Sequence, residues 1–130
     1  MAAANTVPIF TLTPVVASVA CATANTNRDG SGTLATILTG STYGTRVDRI
    51  VCTATVTTTA GMLRFYIDDG GGSDMFLEVP VTAVTGTATV AEWTKTLVFD
   101  RGLIIPSGYV LKSSTHNAEN FNIMAFGGSY

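Results

Sequence analysis

The sequence predicts an all-β protein: an antiparallel β-sandwich, jelly-roll-like, with an extended N-terminal arm. Three observations predict it. Threonine fills roughly one position in six, and its branched Cβ suits a pleated, half-buried surface. Apolar and polar side chains alternate with period two, as in Leu63, Phe65 and Ile67 against Arg64, Tyr66 and Asp68. No helix-period pattern persists for three turns, because Gly or Thr interrupts each attempt. A single turn of helix near 88–92 is the only helical expectation.

Residues 1–14 are small and polar, carry Pro8 and Pro14, and lack sustained alternation. They read as an arm that docks on a neighbour or stays loose. The remainder, 15–130, has the length of one domain, since an autonomous core usually needs about 100–150 residues. In chain order the alternation places strands at 15–22, 34–39, 48–57, 62–68, 75–81, 92–99, 109–114 and 121–126. Turn chemistry separates them at 25–32, 40–44, 68–73, 85–86, 106–108 and 116–120, where Gly, Asn, Asp and Pro gather. Eight short strands with such turns is the count of a jelly roll or a related sandwich. The odd positions Leu63, Phe65, Ile67, Leu77, Val79 and Val81 form the expected core.

Composition narrows the function. Seven basic residues face nine acidic ones, so no surface for nucleic acid is written here. No apolar run reaches the ~18 residues of a spanning helix, which excludes a helical membrane protein. The segment 15–22 ends in Ala20-Cys21-Ala22, but no Lys or Arg precedes Arg28, and a strand explains it better than a signal peptide. Charged residues are 12% where about 25% is usual. Such a surface, made of Thr, Ser, Asn, Gly and apolar atoms, is that of a chain that meets other proteins.

The chemistry-bearing residues do not assemble into an active site. Cys21 and Cys52 lie in alternating segments, which favours buried thiols, with a bridge between them as the second reading. Asn25 to Gly30 begins like a calcium loop, but its twelfth position is Thr36, so a backbone-bonded turn is expected. Three carboxylates surround the glycine triplet Gly70-Gly71-Gly72, which reads as a wide hairpin loop. His116 is the only histidine, without metal-ligand spacing or a nucleophile elbow near any Ser. Glu78, Glu92, Asp100 and Glu119 show no spacing that pairs two of them. The expectation is a non-enzyme without metal or cofactor.

Interface residues are therefore sought. In the last strand Phe121, Ile123 and Ala125 alternate with Asn122, Met124 and Phe126, so both faces carry apolar groups and a second cover from another subunit is expected. Trp93, flanked by Glu92 and Lys95, is the expected anchor, with Tyr66, Phe76, Met124 and Phe126 as further interface positions. Trp93, Tyr43, Tyr66 and Tyr109 would alternatively line a sugar-stacking platform.

Several stretches are familiar. Thr58-Thr59-Ala60-Gly61-Met62-Leu63-Arg64, Glu78-Val79-Pro80-Val81-Thr82, Ile104-Ile105-Pro106-Ser107-Gly108-Tyr109 and the end from Ser114-Thr115-His116-Asn117-Ala118-Glu119-Asn120 to Phe126-Gly127-Gly128 resemble small virion proteins of tailed bacteriophages. The likeness also touches Asn27-Arg28-Asp29-Gly30-Ser31-Gly32-Thr33 and leaves the first fourteen or so residues uncovered. It implies a structural protein of the phage particle, assembled in the bacterial host cytoplasm. The expected role is a capsid decoration or head-fibre subunit that binds the major capsid protein, or other virion proteins, as a homotrimer. The alternative is a receptor- or glycan-binding module of the tail or baseplate. The family supplies no site residues.

Overall fold

Alternation becomes eight strands: β1 (Thr13–Cys21), β2 (Ala35–Thr39), β3 (Thr45–Ala54), β4 (Gly61–Asp68), β5 (Ser73–Val81), β6 (Thr94–Ile105), β7 (Val110–Thr115) and β8 (Phe121–Ser129). The computed structural model describes residues 10–130, and no helix occurs among them. The strands form two four-stranded antiparallel sheets, ordered β1-β8-β3-β6 and β2-β7-β4-β5. Only β4 and β5 are sequential neighbours within one sheet; every other connection crosses between sheets. That winding is a jelly roll.

The inward faces meet over one core. Ile50, Cys52, Phe121 and Ile123 from one sheet pack with Leu63, Phe65, Val79, Val81 and Leu111 from the other. The expected odd positions of β4 and β5 all point inward; Leu77 and Ile67 lie at its margin. Both cysteines are buried free thiols. They sit on β1 and β3 with β8 between them, about 10 Å apart at the usual strand spacing, beyond the ~7 Å that a bridge tolerates. Burial pushes the Cys52 thiol up to about 12, with Cys21 adding to it, and burial raises Cys21 also, against a bond from Ser113.

Four expectations need correction. Thr13 and Pro14 are not arm: they pair with Ser129 and Gly128 as the start of β1. The arm's residues 1–9 lie outside the described residues. The turn of helix at 88–92 is replaced by a tight hairpin in which Thr87 and Val90 exchange backbone bonds of 2.8 and 3.3 Å around Ala88 and Thr89. β6 runs six residues past 99, because residues 99–102 bulge out opposite Asp48, between Arg49↔Val98 and Val47↔Leu103, after which the ladder resumes.

Trp93 is the fourth correction. It is 7% exposed and packs edge-to-face on Phe121, ring centroids 5.6 Å apart. Its carbonyl accepts Ala54 N–H at 2.8 Å, which extends the β3–β6 ladder by one pair and turns the indole to the inward side. The charges of Glu92 and Lys95 do not decide its side; the ladder does. Trp93 is core, not a surface anchor.

Candidate docking surface

The two outer faces of the sandwich differ. On β4, Arg64 and Tyr66 point away from the core, yet both are buried, Arg64 at 2% exposure. The β1–β2 connection, residues 22–34, crosses over them as a strap. Asn25 N–H donates to Thr115 O at 2.8 Å, and Ala24 forms a parallel bridge with Thr115. Arg64 Nη1 donates to Asn25 O at 3.3 Å and Tyr66 Oη to Asn27 O at 3.0 Å. Glu78 on β5 accepts from Arg64 Nε at 2.7 Å and Arg28 Nε at 2.8 Å, tying strap to sheet. Arg28, then Arg64, holds the Glu78 carboxyl below its usual range.

The strap keeps its shape by its own turns. Asn25 Nδ2 donates to the carbonyls of Ser31 and Thr33, both at 2.9 Å, and its Oδ1 accepts Asn27 N–H at 3.0 Å. Asp29 accepts Ser31 N–H, and the Ser31 bonds draw its carboxyl down in pKa. Gly30, at φ +85°, presses against the Ser73 carbonyl where a Cβ would collide. The oxygen-bearing run that begins like a calcium loop is thus engaged with its own backbone. Tyr66, expected at an interface, lies beneath this cover.

Over the outer face of β1-β8-β3-β6 no such strap lies among the described residues. Its register lines residues up in rows across all four strands: Val16–Phe126–Arg49–Val98, Ser18–Met124–Val51–Thr96 and Ala20–Asn122–Thr53–Thr94. Val16 is 63% and Val98 74% exposed, and Ile104 continues the apolar surface on the Pro14–Gly128–Arg46–Ile104 row. Thr11 lies on Gly128, so the described chain enters β1 at that end of the face. Phe10 and Leu12 are exposed beside it.

Two arginines stand on this face: Arg46, paired with Asp48, and Arg49. The Arg49 guanidinium lies 4.5 Å over the Phe126 ring, a cation–π contact. Among the described residues the ion pairs are Arg28–Glu78, Arg46–Asp48, Arg64–Glu78 and Lys112–Asp68, which leaves Arg49 without a carboxylate.

No family model and no curated protein matches the chain.

The expected interface positions therefore separate. Met124 and Phe126 belong to the bare face. Phe76, 40% exposed, stands apart on the edge strand β5 as the extra residue of a bulge opposite Phe65/Tyr66, beyond which Asp74 pairs with the inward-facing Ile67. Trp93 and Tyr66 are interior. Arg49, Val16 and Val98 were not singled out by sequence reasoning, because a period-two pattern identifies the faces of a strand but not which strands lie side by side. Of the four aromatic residues of the sugar platform, Tyr43 and Tyr109 are exposed, on loops joined by the Gly40 N–H bond to Tyr109 O and Gly108 N–H to Gly40 O.

Residues 58–64 and 114–120 meet each other. Asn117 Nδ2 donates to Thr59 Oγ1 and Ala60 O, both at 3.0 Å, and Glu119 Oε1 accepts Thr59 N–H at 2.8 Å. Asn120 Nδ2 donates to Thr55 Oγ1 at 2.7 Å. A Cβ on Gly61 would stand 2.6 Å from Asn117 Nδ2, so the glycine admits the clasp. His116 Nδ1 lies 3.3 Å from Arg64 Nη2. A guanidinium only donates, so in this contact the ring nitrogen is the acceptor. The motif residues fasten the β7–β8 loop to the β3–β4 loop, and they do so as structural side chains.

The wide loop between β4 and β5 is a hairpin as expected. Asp68 accepts Gly70 N–H and the Lys112 ammonium, each at 2.8 Å, and Asp69 accepts Gly71 N–H at 2.9 Å. Lys112 first, then the Gly70 amide, lowers the Asp68 carboxyl. Among the described residues no three His, Cys, Asp or Glu side chains gather as metal ligands.

Proposed function

We propose that this chain is a structural subunit of a tailed-phage particle, a capsid decoration or head-fibre protein that works as an oligomer by adhesion. The single observation behind this reading is the bare outer face of β1-β8-β3-β6. At the usual strand spacing and rise it measures about 19 by 25 Å, roughly 500 Å². A monomer's largest apolar patch is itself about 300–600 Å² and often functional. The virion assignment draws on the likeness of the quoted stretches, which here form the β7–β8 clasp and the strap.

Adhesion needs no reacting group. Apolar side chains at Val16, Phe126 and Val98 beside the unpaired Arg49 suit a contact whose strength comes from excluded water, and several such contacts in one oligomer add through effective concentration. Three copies on a local threefold of a capsid would engage together. Cryo-EM of particles made with the chain tests this. Density for the sandwich on the head, bare face against a neighbour, is the expected result. Density at the tail tip, or none on the particle, contradicts it.

The second reading is glycan binding by a tail or baseplate module, favoured by Tyr43 and Tyr109 on loops bonded at one end of the sandwich. Glycan-array binding removed by Tyr43→Ala and Tyr109→Ala would establish it in place of decoration.

A further inference from the structure

The chain contains two Asp-Gly pairs, Asp29-Gly30 and Asp69-Gly70, and no Asn-Gly. Glycine leaves its own amide nitrogen unshielded, so that nitrogen can attack the Cγ of the preceding aspartate and close a five-membered imide. The structure treats the two pairs differently.

Asp29-Gly30 is held. The Asp29 carboxylate accepts both the amide and the hydroxyl of Ser31, and these bonds lower its pKa and keep it ionised, a form whose charge repels the incoming nitrogen. Gly30 is half-buried, and its Cα lies so close to Ser73 that an added Cβ would stand 2.0 Å from the Ser73 carbonyl oxygen. That peptide has no room to swing.

Asp69-Gly70 is open. Both residues are exposed, and an added Cβ on Gly70 would meet nothing within 4 Å. Asp69 makes the same bond two residues ahead, to the Gly71 amide at 2.9 Å, but has no hydroxyl to reinforce it. The β4–β5 ladder closes at Asp68↔Ser73, so residues 69–72 lie outside it. A base already sits on the reacting proton: Asp68 Oδ1 accepts Gly70 N–H at 2.8 Å, while its other oxygen takes the Lys112 ammonium at 2.8 Å. Lys112 first, then the Gly70 amide, keeps Asp68 ionised and able to accept.

We propose that Asp69 is a site of spontaneous isomerisation in the folded protein, with Asp68 as the base. The Gly70 nitrogen attacks Cγ of the protonated Asp69 carboxyl, and its proton passes to Asp68. The hydroxyl expelled from Cγ takes that proton and leaves as water, closing the imide. A second water then opens the ring. Attack at Cγ restores aspartate; attack at the main-chain carbonyl leaves isoaspartate, with the backbone routed through Cγ and one atom longer. The loop absorbs that atom, since nothing packs on Gly70, and both sheets persist. The proposal goes beyond the functional reading and does not depend on it.

Ageing the protein in mildly acidic buffer, followed by peptide mapping with electron-transfer fragmentation, tests it. Isoaspartate should form at Asp69 at least tenfold faster than at Asp29 in the folded chain, and the two rates should converge in urea. Asp68→Asn, which retains an acceptor oxygen but takes no proton, should slow the Asp69 reaction at least threefold. Lys112→Gln breaks the same ion pair without removing the base and should not slow it; circular dichroism shows that each variant is folded. Equal rates at the two sites in the folded chain, the same preference in urea, or an Asp68→Asn rate equal to wild type would each overturn the proposal.

Discussion

The sandwich has two outer faces built by the same alternation, and they end differently. Over β2-β7-β4-β5 the chain lays its own strap, and beneath it a guanidinium, a phenol and a carboxylate are satisfied internally. Over β1-β8-β3-β6 no strap lies among the described residues, and the outward side chains include valines, threonines, Ser18, Asn122, a half-buried Met124 and Phe126, and the arginines Arg46 and Arg49. A face that is covered within the chain can hold buried charge because every donor finds an acceptor. A face left for a partner is better served by groups that shed water at little cost. On the proposed reading stability belongs to one face and adhesion to the other, and substitutions on the two should separate those properties.

The largest effect is expected on the covered face. Arg64→Ala removes the donor to Glu78 and Asn25 O and opens a void, and breaking a buried ion pair costs several kcal/mol; about 3 kcal/mol is expected here, since Arg28 still holds Glu78. Urea denaturation measures it. Val98→Ser on the bare face should change protomer stability by no more than about 0.5 kcal/mol, yet weaken association. Equal destabilisation by both would erase the distinction.

Acid should act on the covered face first. The folded Glu78 and Asp68 carboxyls lie below their ordinary values. Their contribution is therefore present above the unfolded value, near pH 4, and is lost as pH falls through the folded one. Thermal melts followed downward from pH 5 should show falling stability, with amide exchange quickening in residues 22–34 before β8. Glu78→Gln should flatten that acid dependence. An unchanged pH profile in Glu78→Gln would break the link between strap and carboxylate.

A smaller effect concerns the clasp. Gly61→Ala places a methyl against Asn117 Nδ2, and about 1 kcal/mol of destabilisation is expected. Asn117→Ala, which frees the space, should make the Gly61→Ala substitution nearly neutral in a double-mutant cycle.

Much of the fold was legible because strand alternation is local. Leu63, Phe65, Val79 and Phe121 declared their inward side through their immediate neighbours, and all eight strands follow. Adjacency was not legible. Val16, Arg49 and Val98 lie far apart in sequence and meet only because β1, β8, β3 and β6 are neighbours in register. Tyr66 shows the same limit from the other side: its polar neighbours gave an outward face correctly, but the strap that buries it arrives from 39 residues upstream. Trp93 was misread because flanking charges were weighed above the ladder that turns the ring inward. Met124, Phe126 and Phe76 were read as one set, but Phe76 lies on β5, in the other sheet from Met124 and Phe126.

Thiol labelling tests the central contrast most directly. Cys21 and Cys52 are buried, with raised pKa values, so a maleimide reads an introduced cysteine alone. Val98→Cys on the bare face and Val90→Cys on the β5–β6 connection, both exposed in the protomer, are labelled in dilute and in assembled protein. Val98→Cys should slow at least tenfold on assembly while Val90→Cys keeps its rate. Labelling of Val98→Cys at one unchanged rate in protomer, oligomer and particle would contradict a docking role for that face.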